Sequence, residues 1–293
     1  MNKLYAGAIA LLLLGLSSAS IAGGPWTHTK GKGYVKVAEW WVVFDQHYTD
    51  VGQLDPNVTT GIYNTFAYAE YGFTDRFTGV LNAAVFSRNY MNNLVSGTTG
   101  EVLVPGESVN TLGDIDLTAK YSLTKKGAKF PVAASLMLGL PTGTAAAGTQ
   151  NNLQTGDGEF NQMLRLDVGN GFNIAKGIGG YWSAFAGVNN RTNEFSEEFR
   201  FGLEVGAGLA NNKLWLISRL TGIESFKNGP PSGNLTSTSI FANNTEFTSL
   251  GFEAAYYATD KLGVSVGAAG AFRGEIIAAA PSYSVGIFYD FSK

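Results

Sequence analysis

The stretch Glu198-Phe199-Arg200-Phe201-Gly202-Leu203-Glu204-Val205-Gly206-Ala207-Gly208-Leu209 sorts itself by parity. Its odd positions are all apolar, and its even positions are charged or glycine. Successive side chains of a β-strand point to opposite faces, so a period of two marks a strand with one apolar and one polar side. The same alternation returns at Ile115, Leu117, Ala119, Tyr121 and Leu123, and again near the end of the chain, at Tyr283, Val285, Ile287, Tyr289 and Phe291. Strands in soluble proteins average about 5 to 6 residues, whereas a tilted strand crossing a bilayer needs about 9 to 11. These runs match the second length.

Working outward, about twelve such segments can be marked: residues 33–44, 61–72, 77–90, 113–123, 130–141, 159–168, 181–191, 198–209, 214–225, 247–257, 262–273 and 283–291. The adjacent Trp40 and Trp41, and Trp182, leave the facing of the first and seventh open. Connections alternate between tight turns, such as Thr74-Asp75-Arg76 and Asn211-Asn212-Lys213, and long polar stretches at 91–112, 142–158 and 226–246. Bacterial membrane barrels pair short periplasmic turns with long extracellular loops and carry an even strand number. In lipid every backbone N–H and C=O must find a partner within the protein, which an open sheet edge cannot provide. The expectation is an all-β, transmembrane, antiparallel up-and-down β-barrel over residues 23–293.

Composition agrees. The chain has 293 residues, 38 Gly, no Cys, 15% charged residues and a net charge of −3. Without Cys there are no disulfides, thiolate metal sites or Cys nucleophiles. No basic block neutralises phosphates, so nucleic acid is not an expected partner. Residues 1–22 differ from the rest: Lys3 precedes an apolar run at 6–16, and Ser20-Ile21-Ala22 places small residues where a signal peptidase cuts. A signal peptide cleaved after Ala22 is expected, leaving Gly23 first. Only residues 23–32 then precede the first strand, too few for a plug, and passive diffusion is the expected mechanism.

A charge facing mid-bilayer lipid costs ~2 to 4 kcal/mol for Arg or Lys. Charges near strand centres should therefore point inward, which assigns Glu39, Asp114, Asp116, Lys120, Arg165, Asp167, Arg200, Glu204, Arg219 and Glu253 to the channel lining. Asn64, Asn82, Asn161 and either Gln162 or Met163 join them. With both signs present, the lining reads equally as a hydrophilic constriction or as an ion-paired network that holds the interior together. Acidic residues gather on the loop side, either as ordinary polar loops or as a rim sharing divalent cations with anionic lipid.

No catalytic, metal or cofactor site is expected. Gly263-Val264-Ser265-Val266-Gly267 matches a serine-hydrolase pattern, but that pattern requires a sharp strand-to-helix turn and here lies within an alternating strand. Neither of the two histidines, His28 and His47, is expected near its middle. Asp114 and Asp116 share a strand face, where a luminal ion pair with Lys120 or a cross-strand Arg is the preferred reading over a bound cation.

Tyr71-Gly72-Phe73-Thr74-Asp75-Arg76, Leu112-Gly113-Asp114-Ile115, Leu138-Gly139-Leu140-Pro141-Thr142-Gly143-Thr144, Thr155-Gly156-Asp157-Gly158 and the final 280–287 stretch together resemble the outer-membrane "MetA-pathway of phenol degradation" transporter-like family. That resemblance implies a bacterial outer-membrane channel, associated in some relatives with uptake of aromatic or other hydrophobic small molecules. The expected partners are outer-membrane lipid and lipopolysaccharide, a small-molecule permeant and, during biogenesis, the barrel-assembly machinery. A barrel without transport, acting through its acidic loops, is the alternative. The strand lengths and outward aromatic faces argue against a secreted soluble β-sandwich.

Overall fold

The computed structural model describes residues 23–230 and 241–292. The signal peptide read in residues 1–22 lies outside them. In chain order the strands are β1 (Gly33–Tyr48), β2 (Leu54–Gly72), β3 (Phe77–Met91), β4 (Leu94–Val95), β5 (Val102–Val104), β6 (Glu107–Thr111), β7 (Ile115–Ser122) and β8 (Val132–Leu140). They continue with β9 (Asn161–Ala175), β10 (Ile178–Asn190), β11 (Glu198–Leu209), β12 (Leu214–Ser225), β13 (Glu246–Tyr257), β14 (Leu262–Glu275), β15 (Ile277–Ala278) and β16 (Ser282–Asp290).

All pairings in the wall are antiparallel, and β1 bonds both β2 and β16, so the sheet closes into a barrel of twelve crossings. The fourth crossing is composite. β6 pairs with the far end of β3 (Ser87–Met91) and β7 with its near end (Phe77–Ala83), leaving Leu112-Gly113-Asp114 as a break between them. The sequence alone reads β6 as part of a loop, because Glu107-Ser108-Val109-Asn110-Thr111 is too polar for a lipid-facing strand. β2 and β9 likewise extend past their expected ends, to Leu54 and Ala175. The β2 extension lacks apolar alternation, whereas β9 carries its exposed apolar row on through Phe172 and Ile174.

Both described chain ends lie at the end of the barrel with the tight turns, here the turn end; the opposite one is the loop end. The outward side chains explain the composition. Val37, Leu136, Leu164, Leu166, Val266 and Ile287 are 47–63% exposed, a state that only lipid makes favourable. Aromatic belts bracket them, with Tyr71, Phe73, Tyr121, Phe130 and Tyr289 at the turn end and Trp41, Tyr63, Tyr90 and Tyr283 toward the loop end. Trp40 faces in, packed with Val42, Phe44 and Ile62, whereas Trp41 faces out against Tyr283. Trp182 also faces out, beside Phe130.

That parity overturns one sequence expectation. With Trp40, Val42 and Phe44 inside, Glu39 shares the outer face of β1 with Val35, Val37 and Val43 and does not line the lumen. Its carboxylate accepts a hydrogen bond from the Thr65 hydroxyl, 2.6 Å away on the neighbouring strand. The inward packing of three large apolar side chains sets the register, and one carboxylate does not reverse it. Replacing Glu39 with Leu should raise the urea midpoint for folding into phospholipid vesicles, corresponding to about 1 kcal/mol, because lipid-facing acids cost less than Arg or Lys. A lowered midpoint would contradict the outward placement.

Candidate functional site

The turn-end mouth is occupied by the chain itself. Residues 23–28 fold back into it; they are too few for a plug, as read from the sequence, yet they narrow the mouth. A barrel of this strand number has a narrow interior, and a few side chains fill it. Gly24 and Pro25 are buried. Gly24 has φ +51°, and a Cβ there would stand 2.6 Å from the Trp26 ring and 3.1 Å from Ser183 Cβ, so glycine is required. Trp26 meets Tyr181 edge-on at 5.7 Å. The His28 N–H donates to Thr78 Oγ1 at 2.9 Å, and its Nε2 lies 3.5 Å from Glu70 Oε2. Tyr68 donates its hydroxyl to Glu70 at 2.6 Å, while Lys120 Nζ lies 3.8 Å from Glu70 and 3.5 Å from the Gly23 carbonyl.

Above this segment the lumen is crossed by charge pairs whose partners the register brings together. Glu204 on β11 stands opposite Arg219 on β12. Arg219 bonds Glu204 and, at 2.6 Å, Glu253 on β13; Lys36 reaches Glu253 at 2.8 Å, and Tyr181 donates to Glu204 at 2.6 Å. Arg165 pairs with Asp167 two residues along β9 and lies 3.9 Å over the Phe185 ring. Arg200 bonds Glu198 at 2.6 Å. Asp116 accepts from Asn82 at 3.4 Å, on the adjacent strand. Eight of the ten residues named from sequence therefore point inward; the exceptions are Glu39 and Asp114. Lys120 turns to Glu70 rather than to Asp114 or Asp116. Met163, not Gln162, lines the interior.

Asp114 lies in the break between β6 and β7 and fastens a loop. Its carboxylate oxygens accept from the backbone N–H of Gly143 at 2.9 Å and of Asp157 at 3.0 Å. Residues 141–160 thereby fold over the loop end, with Leu153 and Thr155 buried. Arg191 ties the same loop down, bonding Asp157 at 3.0 Å and Glu198 at 2.8 Å. Burial, opposed by a hydrogen bond from Thr192, raises the carboxyl pKa of Glu159. At the rim, Arg273 bonds Glu224 and Glu246, and Lys227 bonds Glu246 and Glu275. The Glu275 contact is the largest cause of a raised Lys227 pKa. Much of the acidic rim is thus neutralised by its own cations, and among the described residues no three acids or histidines are grouped to hold a metal.

Between residues 23–28 and residues 141–160 lie two adjoining cavities, about 130 and 100 Å³, with Tyr68, Asn82, Arg165 and Thr221 lining both. The first is walled by Trp40, Phe66 and Phe185 beside the Arg219 cluster; the second by Met137, Met163 and Phe247 beside Lys120 and Asp116. Ser135 Oγ is buried in the wall of the second with no partner. Ser265 sits within β14 opposite Ala255 and Gly286, while His28 faces Glu70 and His47 pairs with Asp55 and Ala278 at the loop end. Sequence reasoning missed Lys36, Glu70 and Glu198. Glu70 follows Tyr68 on the inward parity of β2 and was legible there; Lys36 and Glu198 sit near strand ends, where the cost of facing lipid no longer discriminates.

No protein-family model matches the chain, and no curated protein matches it in sequence. Among solved structures, the COG4313 outer membrane channel from Pseudomonas putida F1 superposes with a TM-score of 0.58 at 15% identity, covering 93% of this chain and 100% of that one. The chain has the fold of a bacterial outer-membrane channel. The KdgM porin (TM-score 0.48, 8% identity, 88% and 99% covered) and the NanC porin (0.47, 9%, 88% and 98%) are more distant in shape.

Arg219 holds two carboxylates, so Arg219→Met should cost about 2 to 3 kcal/mol of barrel stability, less than for a fully buried pair because the side chain is 29% exposed. It also leaves net negative charge in the lumen. The reversal potential in a KCl gradient should shift toward cation selectivity, and an unchanged potential would place the conducting path elsewhere.

Proposed function

We propose that this protein is a passive channel of the bacterial outer membrane for small amphipathic molecules, with aromatic or hydrophobic compounds as its preferred permeants. The observation that carries this reading is the pairing of aromatic and thioether walls with charges that neutralise one another. Among the described residues such a lumen offers no ring of unpaired Arg or Lys to select phosphates or acidic sugars. It does offer apolar surface beside hydrogen-bonding groups, the composition typical of small-molecule sites. An apolar cavity of about 150 Å³ admits benzene, and the larger chamber here, about 130 Å³, is of that order. Arg165 over Phe185 adds a flat cationic surface on which an aromatic ring can stack.

The remaining parts of the proposal concern export and insertion. A leader cleaved after Ala22 exports the chain, the barrel-assembly machinery inserts it, and the apolar band rests in outer-membrane lipid and lipopolysaccharide. A second reading is favoured by one observation, the placement of residues 23–28 and 141–160 over the two ends: a non-conducting barrel that binds partners through its loops.

Liposome swelling separates these readings. Vesicles containing the protein should admit benzoate several-fold faster than a hexose, and Phe185→Ala should reduce that preference. Equal rates would remove the aromatic preference, and no entry of any solute, with no conductance in planar bilayers, would favour the closed barrel.

A further inference from the structure

The cluster around Glu70 contains a group that the channel reading leaves unused, the amino end of Gly23. Resting on the export reading above, in which cleavage follows Ala22, we propose that the α-ammonium freed by that cleavage is itself a ligand of the lumen: it pairs with Glu70 and latches residues 23–28 in the turn-end mouth.

A substituent on Gly23 Cα would stand 3.5 Å from Glu70 Oε1, so the nitrogen on that same carbon is near enough for a turn of the freed chain end to bring it onto the carboxylate. The Tyr68 hydroxyl donates to Glu70 Oε1. His28 and Lys120 address Oε2, the other oxygen. Oε1 therefore has one neutral donor and room for a charged one. An internal amide presents a single proton and no charge; a terminal ammonium presents three protons and a positive charge, and charge-assisted bonds are about twice as strong as neutral ones. Gly23 is exposed, so its remaining protons stay hydrated. The Gly23 carbonyl meanwhile faces Lys120, so both ends of this one residue are addressed by the same pair of charged side chains.

The arrangement makes cleavage a condition of the latch. Only a chain that begins at Gly23 carries the charge, and a chain extended by even one residue places an amide there instead. Glycine is required at position 24 by its left-handed backbone, while position 23 sits against Glu70 with room for its amine to turn onto the carboxylate.

The test is zero-length crosslinking of the full-length protein purified from membranes. Amino-terminal sequencing should begin at Gly23. A water-soluble carbodiimide, which joins a carboxylate to an amine in contact with loss of one water, should link Gly23 to Glu70 in peptides identified by mass spectrometry. The link should vanish in Glu70→Gln and persist in Lys120→Met, with heat-modifiable migration on gels verifying that both variants are folded. Glu70→Gln should also lengthen open events in planar bilayers several-fold. A chain starting elsewhere overturns the proposal through its processing. A chain starting at Gly23 that yields only the Glu70–Lys120 link, or none, overturns the ion pair. Conductance of the same preparation reports separately on the channel reading.

Discussion

Backbone hydrogen bonding in a medium without water is the constraint on which everything else here rests. A strand in lipid cannot leave its N–H and C=O groups unpaired, so the sheet must close, and it closes where β1 meets β16 from Tyr34–Asp290 to Val42–Ser282. Closure then divides every crossing strand into an outer and an inner row. The outer row must be apolar and the inner row is free to be polar. The near-zero mean hydropathy of the chain is the average of two opposed surfaces, and its low charge content is the mark of a lipid band.

The inner row is constrained in turn by the small radius of the barrel. Opposed walls are close enough that Lys36, Glu204, Arg219 and Glu253, drawn from four strands, form one continuous chain of contacts. The two sequence readings of the lining, polar constriction or ion-paired network, are therefore two descriptions of one arrangement. The pairs brace the walls, and because they cancel locally they leave the aromatic surfaces of Trp40, Phe66 and Phe185 to set the character of the cavity between them.

Parity made most of this legible. It located the crossings and placed eight of the ten named side chains inside. It failed at Glu39, where the charge rule and the packing of Trp40 and Phe44 disagreed and packing prevailed. It failed at Asp114 because an irregularity in the ladder, invisible in the alternation of Asp114, Ile115 and Asp116, leaves its backbone bonded to Ala84 while its side chain anchors a loop. The inserted segment was missed for a different reason. Gly23-Gly24-Pro25-Trp26 has no periodicity to read, and its place depends on Ser183, Gly169 and Tyr181, which are distant in sequence. Contacts of that kind enter only with the three-dimensional fold.

The break at Leu112-Gly113-Asp114 has a consequence for the loop above it. Where the wall between β6 and β7 leaves the regular ladder, the carbonyl of Leu112 accepts the Thr155 hydroxyl at 3.0 Å and that of Gly113 accepts the Thr142 hydroxyl at 2.7 Å. Two threonines of residues 141–160 thus stand in for a missing strand neighbour. In hydrogen-bonding terms these two threonines extend the wall into the loop. Their loss would leave wall carbonyls without partners, a cost that a change in an ordinary surface loop does not carry.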